Sequence, residues 1–243
     1  MTESELGELL RDCPVLHHMA ARGAWPSILA HGLLSTSALL DLHGVAGAAR
    51  EAVESARRPQ GVALEHPVLG RAVIRDQKPL DEAGLRRCLG DGLAPVDWYR
   101  LLNRRVFLWP SRARLLRLLD ARPYRGEAHE VIELDAARVV AACRERITLS
   151  AINSGATRPF PVARGLATFL PIEAYPYAHW RARRPRGERV VELAVEHGVP
   201  DVARLVRRVT VMRGAETLGV LHEAGPGCHG ALCAAAADEA RQG

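Results

Sequence analysis

The run Arg189-Val190-Val191-Glu192-Leu193-Ala194-Val195-Glu196 sets the tightest limit on how this chain folds. Residues 190 to 195 are apolar and rich in valine except at Glu192, the composition of a strand buried in a sheet. A carboxylate inside such a run is costly unless it has a partner or a task. The fold must therefore bring polar groups to one point of its core, and Glu192 is the first candidate for a site. Glu196 lies on the same side of an ideal strand but nearer its end.

A second stretch, Val15 to Ser35, reads strand, turn, helix. Gly23 breaks the apolar run, Pro26 suits a first helical turn where its missing N–H is not needed, and Gly32 suits a left-handed stop after His31. This reading sets His17 and His18 at the open end of a strand, facing a helix whose last turn delivers Ser35 and Thr36, placed to meet a ligand. A histidine satisfied within the core is the plainer alternative.

The remaining elements follow from periodicity and punctuation. Ser37 to Arg58 reads as one helix interrupted near Gly44 or as two short ones, residues 66 to 77 as a compact apolar segment studded with arginine, and residues 81 to 90 as helical. Asp97 can cap a short helix. Val106-Phe107-Leu108-Trp109 has the make-up of a strand, stopped by Pro110 and followed by a helix from Ser111. Because a strand alternates faces, one of Phe107 and Trp109 is expected in the core and the other on a pocket. Val131 to Leu134 forms a strand leading to a helix capped at Asp135. Ile147 to Ser150 forms another, running into Ala151 to Thr157, where small residues leave backbone N–H groups open to a ligand or make an ordinary turn. Leu205 to Met212 reads as a closing strand. Pattern alone gives a mixed α/β single domain over residues 1–243, with a core at about 15–212 and a tail at 213–243.

Lys78 is the only lysine among 33 basic residues, and the net charge is +5. Arginine binds phosphate in a fork and stacks on bases, so this balance suits a nucleotide or nucleic-acid ligand, although codon bias in a GC-rich genome produces the same usage. Tyr177 and Trp180 lie close to Arg181, Arg183 and Arg184, the mixture a single-stranded nucleic-acid surface requires; a solvated loop anchored by its aromatics has the same composition. Five scattered cysteines fit a reducing compartment. Cys228, His229 and Cys233 lack the partner pair a zinc site needs, so no metal is expected. No stretch approaches the ~20 apolar residues of a membrane span, and a soluble, cytoplasmic protein with no membrane partner is the expectation.

In order along residues 15 to 212, these segments resemble the DarT family of DNA ADP-ribosyltransferase toxins. The likeness rests on His18 followed by the Pro26-Ser27-Ile28-Leu29 helix and Gly32-Leu33-Leu34-Ser35, on the Val106 to Trp109 strand, on Asn153 and Thr157 after the Ile147 strand, and on Glu192 with Val199-Pro200 behind it. The resemblance implies an α+β fold of split antiparallel β-sheets with flanking helices and NAD, the substrate, in the cleft between them. It further implies a mono-ADP-ribosyltransferase acting on a nucleic-acid base, in single-stranded DNA for instance, with an antitoxin as a possible partner. On this likeness His18 meets the adenosine-side ribose, Ser35, Trp109, Asn153 and Thr157 line the NAD site, and Glu192 is catalytic. The carboxylate would stabilise charge in an oxocarbenium-like state or take a proton from the nucleophile. Arg75 is the arginine of the site, with Arg71 in reserve, and Tyr177, Trp180, Arg181, Arg183 and Arg184 contact nucleic acid. His17 departs from the family, which has a tyrosine or another bulky residue there. The same site used on protein, a small molecule or water, and a non-catalytic nucleic-acid-binding module, remain as alternatives.

Overall fold

The computed structural model describes residues 1–225. Helix α1 (Glu3–Asp12) opens on a capping box, Thr2 Oγ accepting from the Glu5 N–H and the Glu5 carboxylate accepting from the Thr2 N–H. It lays Leu6 and Leu9 on the core. Strand β1 (Val15–Ala21) leads to α2 (Trp25–His31), which stops at Gly32 with φ +87°. Next come β2 (Leu33–Leu34), then α3 (Thr36–Leu42) and α4 (Gly47–Glu54), two short helices on either side of Gly44. The arginine-studded segment is a hairpin of β3 (Val62–His66) and β4 (Gly70–Ile74). Asp81 caps α5 (Glu82–Cys88), and in α6 (Pro95–Asn103) Asp97 is the third residue, its carboxylate reaching back to the Ala94 N–H.

Strand β5 (Arg105–Leu108), α7 (Arg112–Leu119), β6 (His129–Asp135) and α8 (Ala136–Cys143) follow, the last capped by Asp135 on the Arg138 N–H. The chain ends its described course with β7 (Ile147–Ser150), β8 (Leu170–Pro171), α9 (Tyr177–Arg181), β9 (Glu192–Glu196), β10 (Gly198–Val199), α10 (Val202–Leu205), β11 (Val206–Arg213) and β12 (Glu216–Glu223).

The fold is α+β. One antiparallel sheet has the order β1-β6-β11-β12 and a second the order β5-β9-β7-β8, with β10 paired to β2 separately. The two sheets meet at the end of β5. Leu108 pairs with Leu193 of β9, but the next residue, Trp109, pairs instead with His17 of β1 through backbone bonds of 2.9 and 2.8 Å. The sheets diverge at that step, beside Glu192, the first residue of β9. β1 ends its sheet, with β6 on one edge and the single bridge from His17 to Trp109 on the other, and it has buried residues on both faces.

Several expectations need correction. His17 and His18 lie within β1 and not at its open end, because the strand continues to Ala21. Ser35 follows β2 and caps α3, its Oγ accepting from the Ala38 N–H at 3.2 Å. α1, ahead of residue 15, supplies core leucines, and β12, within the stretch read as a tail, completes a sheet. β12 is an edge strand exposed along almost its whole length, so its sequence lacks the buried alternation that marks a strand.

Glu130 fixes the entry to α2. Its carboxylate, 1% exposed, accepts from the Gly23 N–H at 2.8 Å, the Trp25 N–H at 2.7 Å and Arg22 Nη1 at 3.0 Å. Glu130→Ala strands the buried Trp25 N–H and should cost about 3 kcal/mol, read from the urea midpoint. A loss below about 1 kcal/mol would show that the turn holds without it.

Candidate active site

Glu192 is buried where β9 begins, its residue paired with Ser150 of β7. Its Oε2 accepts from the Ser154 N–H at 3.0 Å and from Ser154 Oγ at 2.7 Å. Burial pushes its pKa up to about 7, against the pull of those two bonds and of the Arg164 and Arg114 charges. A carboxyl poised there can exchange a proton near neutral pH or carry a negative charge in a dry site.

The gap left by the diverging sheets is a cavity of about 240 Å³ that reaches from Glu192 across to β1, β4 and the start of α3. His18 lines it, with its Nδ1 2.9 Å from the Phe107 carbonyl oxygen. Only a protonated nitrogen can make that bond, so Nδ1 carries the hydrogen and Nε2 is left as an acceptor. Burial lowers the His18 pKa to about 4, which keeps the ring neutral at pH 7. Arg75 lines the same cavity and donates through Nη1 to the Met19 carbonyl at 3.0 Å, and its guanidinium lies 5.0 Å from the Tyr124 ring centre. Its nearest carboxylate, Asp76, is 3.9 Å away. The arginine is thus desolvated, its pKa lowered by burial, without a close ion pair.

Trp109, Ser35 and Asn153 also line the cavity, so it gathers His18, Ser35, Arg75, Trp109, Asn153 and Glu192 from six separate segments of the chain. Phe107 lines it beside Trp109. Neither ring is therefore set apart in the core as expected, because residues two apart on a strand share a face. Thr157 does not reach the cavity. Its Oγ1 accepts from the Asp81 N–H at 2.7 Å and donates to the Asp81 carbonyl at 3.2 Å, which ties the loop to the start of α5. Arg71 is exposed and pairs with Glu65 at 3.1 Å, away from the cavity that Arg75 lines. His17 turns to the opposite side of β1, buried with Nδ1 3.9 Å from Glu133.

The expected nucleic-acid residues are largely engaged within the protein. Tyr177 is 1% exposed and its hydroxyl accepts from Arg189 at 3.1 Å, so it cannot stack on a base. Arg184 lies 4.0 Å over the half-buried Trp180 ring and donates to the Ala151 carbonyl. Arg181 pairs with Glu8, and Arg183 with the ring and carbonyl of His179. The aromatic-plus-arginine pattern is the same for an internal staple as for an open surface. Polar residues not anticipated also line the cavity, among them Arg58, Asp76 and Tyr124, whose hydroxyl donates to Asp76 at 2.7 Å. Ser154 was visible only as one small residue in a turn; nothing in its local sequence announces the bond to Glu192. Among the described residues no group of side chains could hold a metal ion, and no helix is long and apolar enough to cross a membrane. Cys228, His229 and Cys233 lie outside the described residues.

The raised Glu192 pKa has a definite effect on stability. The folded protein holds this proton between the ordinary value of 4.5 and about 7, so the contribution is fully present below 4.5 and lost as the pH rises through 7. His17 and His18, held at about 4 against an ordinary 6.5, act in the opposite sense and cost stability as the pH falls through that window. Glu192→Gln removes the first effect alone. Its stability relative to the unaltered protein should rise between pH 4.5 and 7, and parallel denaturation curves across that range would contradict the assignment.

The sequence model of a family of unknown function, DUF7002, matches residues 14–206. No curated protein and no solved structure matches the chain. The match takes in His18, Arg75, Trp109 and Glu192, and the chain belongs to DUF7002, a family of unknown function.

Proposed function

We propose that the protein is an NAD-dependent mono-ADP-ribosyltransferase of the split-sheet type. The observation that carries this reading is the junction itself: a neutral histidine on β1, a desolvated arginine after β4 and a buried carboxylate at the start of β9 border one cleft between two antiparallel sheets. NAD supplies the ADP-ribosyl group and nicotinamide as the leaving group. The residues present suit such a ligand. His18 offers Nε2 to a sugar hydroxyl, Arg75 has donors free of a close carboxylate for an amide or phosphate oxygen, and Phe107 and Trp109 provide an aromatic wall.

Glu192 then holds a ribose hydroxyl or takes the acceptor's proton, and in its ionised form it stabilises the positive charge that develops at the ribose. With its pKa near 7, kcat/KM should climb as the pH rises through neutrality and level off above it. Glu192→Gln keeps size and hydrogen bonding but removes that charge, so it should lower kcat by ~10²-fold or more with little change in NAD affinity. Glu196→Gln is the control, because Glu196 pairs with Arg105 at 2.7 Å and lies off the cavity. Normal turnover by folded Glu192→Gln protein would remove the mechanism.

For the acceptor we propose a nucleic-acid base. Support comes from the basic balance and from Arg181 and Arg183, exposed side chains whose present partners are surface contacts; such contacts contribute at most about 1 kcal/mol and yield readily to phosphate. Affinity for a single-stranded oligonucleotide should fall steeply with salt as counterions are released. A salt-independent affinity, or none, would move the acceptor to protein, a small molecule or water.

A further inference from the structure

Arg164 is a buried arginine that the proposed mechanism does not use. It is 4% exposed, and among the described residues no carboxylate lies within ion-pairing distance of it. Its guanidinium donates to three carbonyl oxygens of one loop: Nη1 to Ser154 at 2.8 Å, Nη2 to Ala156 at 2.8 Å and Nε to Val162 at 3.0 Å. Its plane sits 5.7 Å from the Trp98 ring centre, and Trp98 Nε1 donates to the same Ser154 carbonyl at 3.3 Å. The arginine is itself anchored, since its N–H donates to the Cys88 carbonyl and its carbonyl accepts from the Gly90 N–H, both at 2.8 Å.

Ser154 is therefore gripped from two sides. On one side Arg164 and Trp98 hold its carbonyl, and on the other its N–H and hydroxyl hold Glu192 Oε2. A loop of small residues would otherwise be free to shift, and a shift of about 1 Å at a reacting group can cost ~10²-fold in rate. Burying an arginine without an adjacent carboxylate is expensive, and a loop staple alone does not require a charge. Two acidic side chains act on Arg164, the Cys88 thiol at the end of α5 and, across Ser154, the Glu192 carboxyl, which is the carboxylate among them. The other charges in play are Arg114, which acts on Glu192 from α7, and Arg75 with neutral His18 across the cavity.

We propose that Arg164 is a positioning residue for Glu192, fixing the carboxylate through Ser154 and serving as its buried counter-charge. This rests on Glu192 being the working carboxylate of the site. The consequence is that Arg164, though absent from the cavity wall, sets both where Glu192 stands and the pH at which it ionises.

The test is the titration of Glu192 by NMR in protein labelled with ¹³C at the glutamate carboxyls, the signal assigned with Glu192→Gln. In folded Arg164→Gln protein Glu192 should titrate at a higher pH than in the unaltered chain, because a favourable charge is gone. Its turnover of NAD should fall ~10-fold or more in kcat with KM little changed. A merely structural arginine would lower the melting temperature and leave the titration where it was, and that result overturns the proposal. Should Arg164→Gln fail to fold, Arg164→Lys carries the test. Lysine keeps the charge but cannot fork to three carbonyls, so Glu192 should titrate as before while the Ser154 amide loses hydrogen-exchange protection. Unchanged protection at Ser154 would overturn the clamp. If the unaltered protein does not turn over NAD, the reading of the reaction fails on that result alone, while the titration still decides whether Arg164 governs Glu192.

Discussion

The change of partner by a single strand is the constraint on which the rest of the structure depends. Backbone N–H and C=O groups inside a protein must be paired, and β5 satisfies this by bonding β9 through Leu108 and β1 from Trp109. Two sheets cannot both follow a strand that has changed neighbours, so they part at that point. The wedge between them is the cavity. His18 ties the two walls together through its bond to the Phe107 carbonyl, and the strand that starts at the apex starts with Glu192. A polar group at such an apex is buried by the fold and yet open to a ligand on one side.

Burial then acts on the three groups of the proposed site in the same direction, against charge. It raises Glu192, lowers His18 and lowers Arg75. Each group pays a desolvation cost with only partial compensation: two bonds from Ser154 for the carboxyl, one carbonyl for the imidazole, one carbonyl and an aromatic face for the guanidinium. A ligand that carries hydroxyls, oxyanions and a positive centre would complete all three at once. This complementarity, more than any one residue, supports the proposal of a nucleotide that carries a pyridinium over that of an apolar ligand.

Local signals made much of this readable. Pro26 and Gly32 bounded α2, Asp135 capped α8, Gly44 divided two helices, and the solitary carboxylate at Glu192 marked the site. Long-range partnership was not readable. Thr157 and Ser154 are small polar residues three apart in one loop, yet one anchors α5 and the other holds Glu192; which does which depends on where the loop lands. Tyr177 and Arg184 carry the composition of a nucleic-acid surface and make internal contacts instead, because composition does not record which face a side chain takes. The edge strand β12 lacks a buried face and so has no pattern to find.

That the wedge between the sheets is the nucleotide site is tested most directly by titrating NAD into isotope-labelled protein and mapping the residues whose NMR signals move. The account predicts shifts that saturate together at His18, Phe107, the Trp109 indole and Asn153, with Tyr177 and its neighbours in α9 unmoved. Shifts confined to α9 or to the outer strand β12, or no shift at all at millimolar NAD, would contradict it.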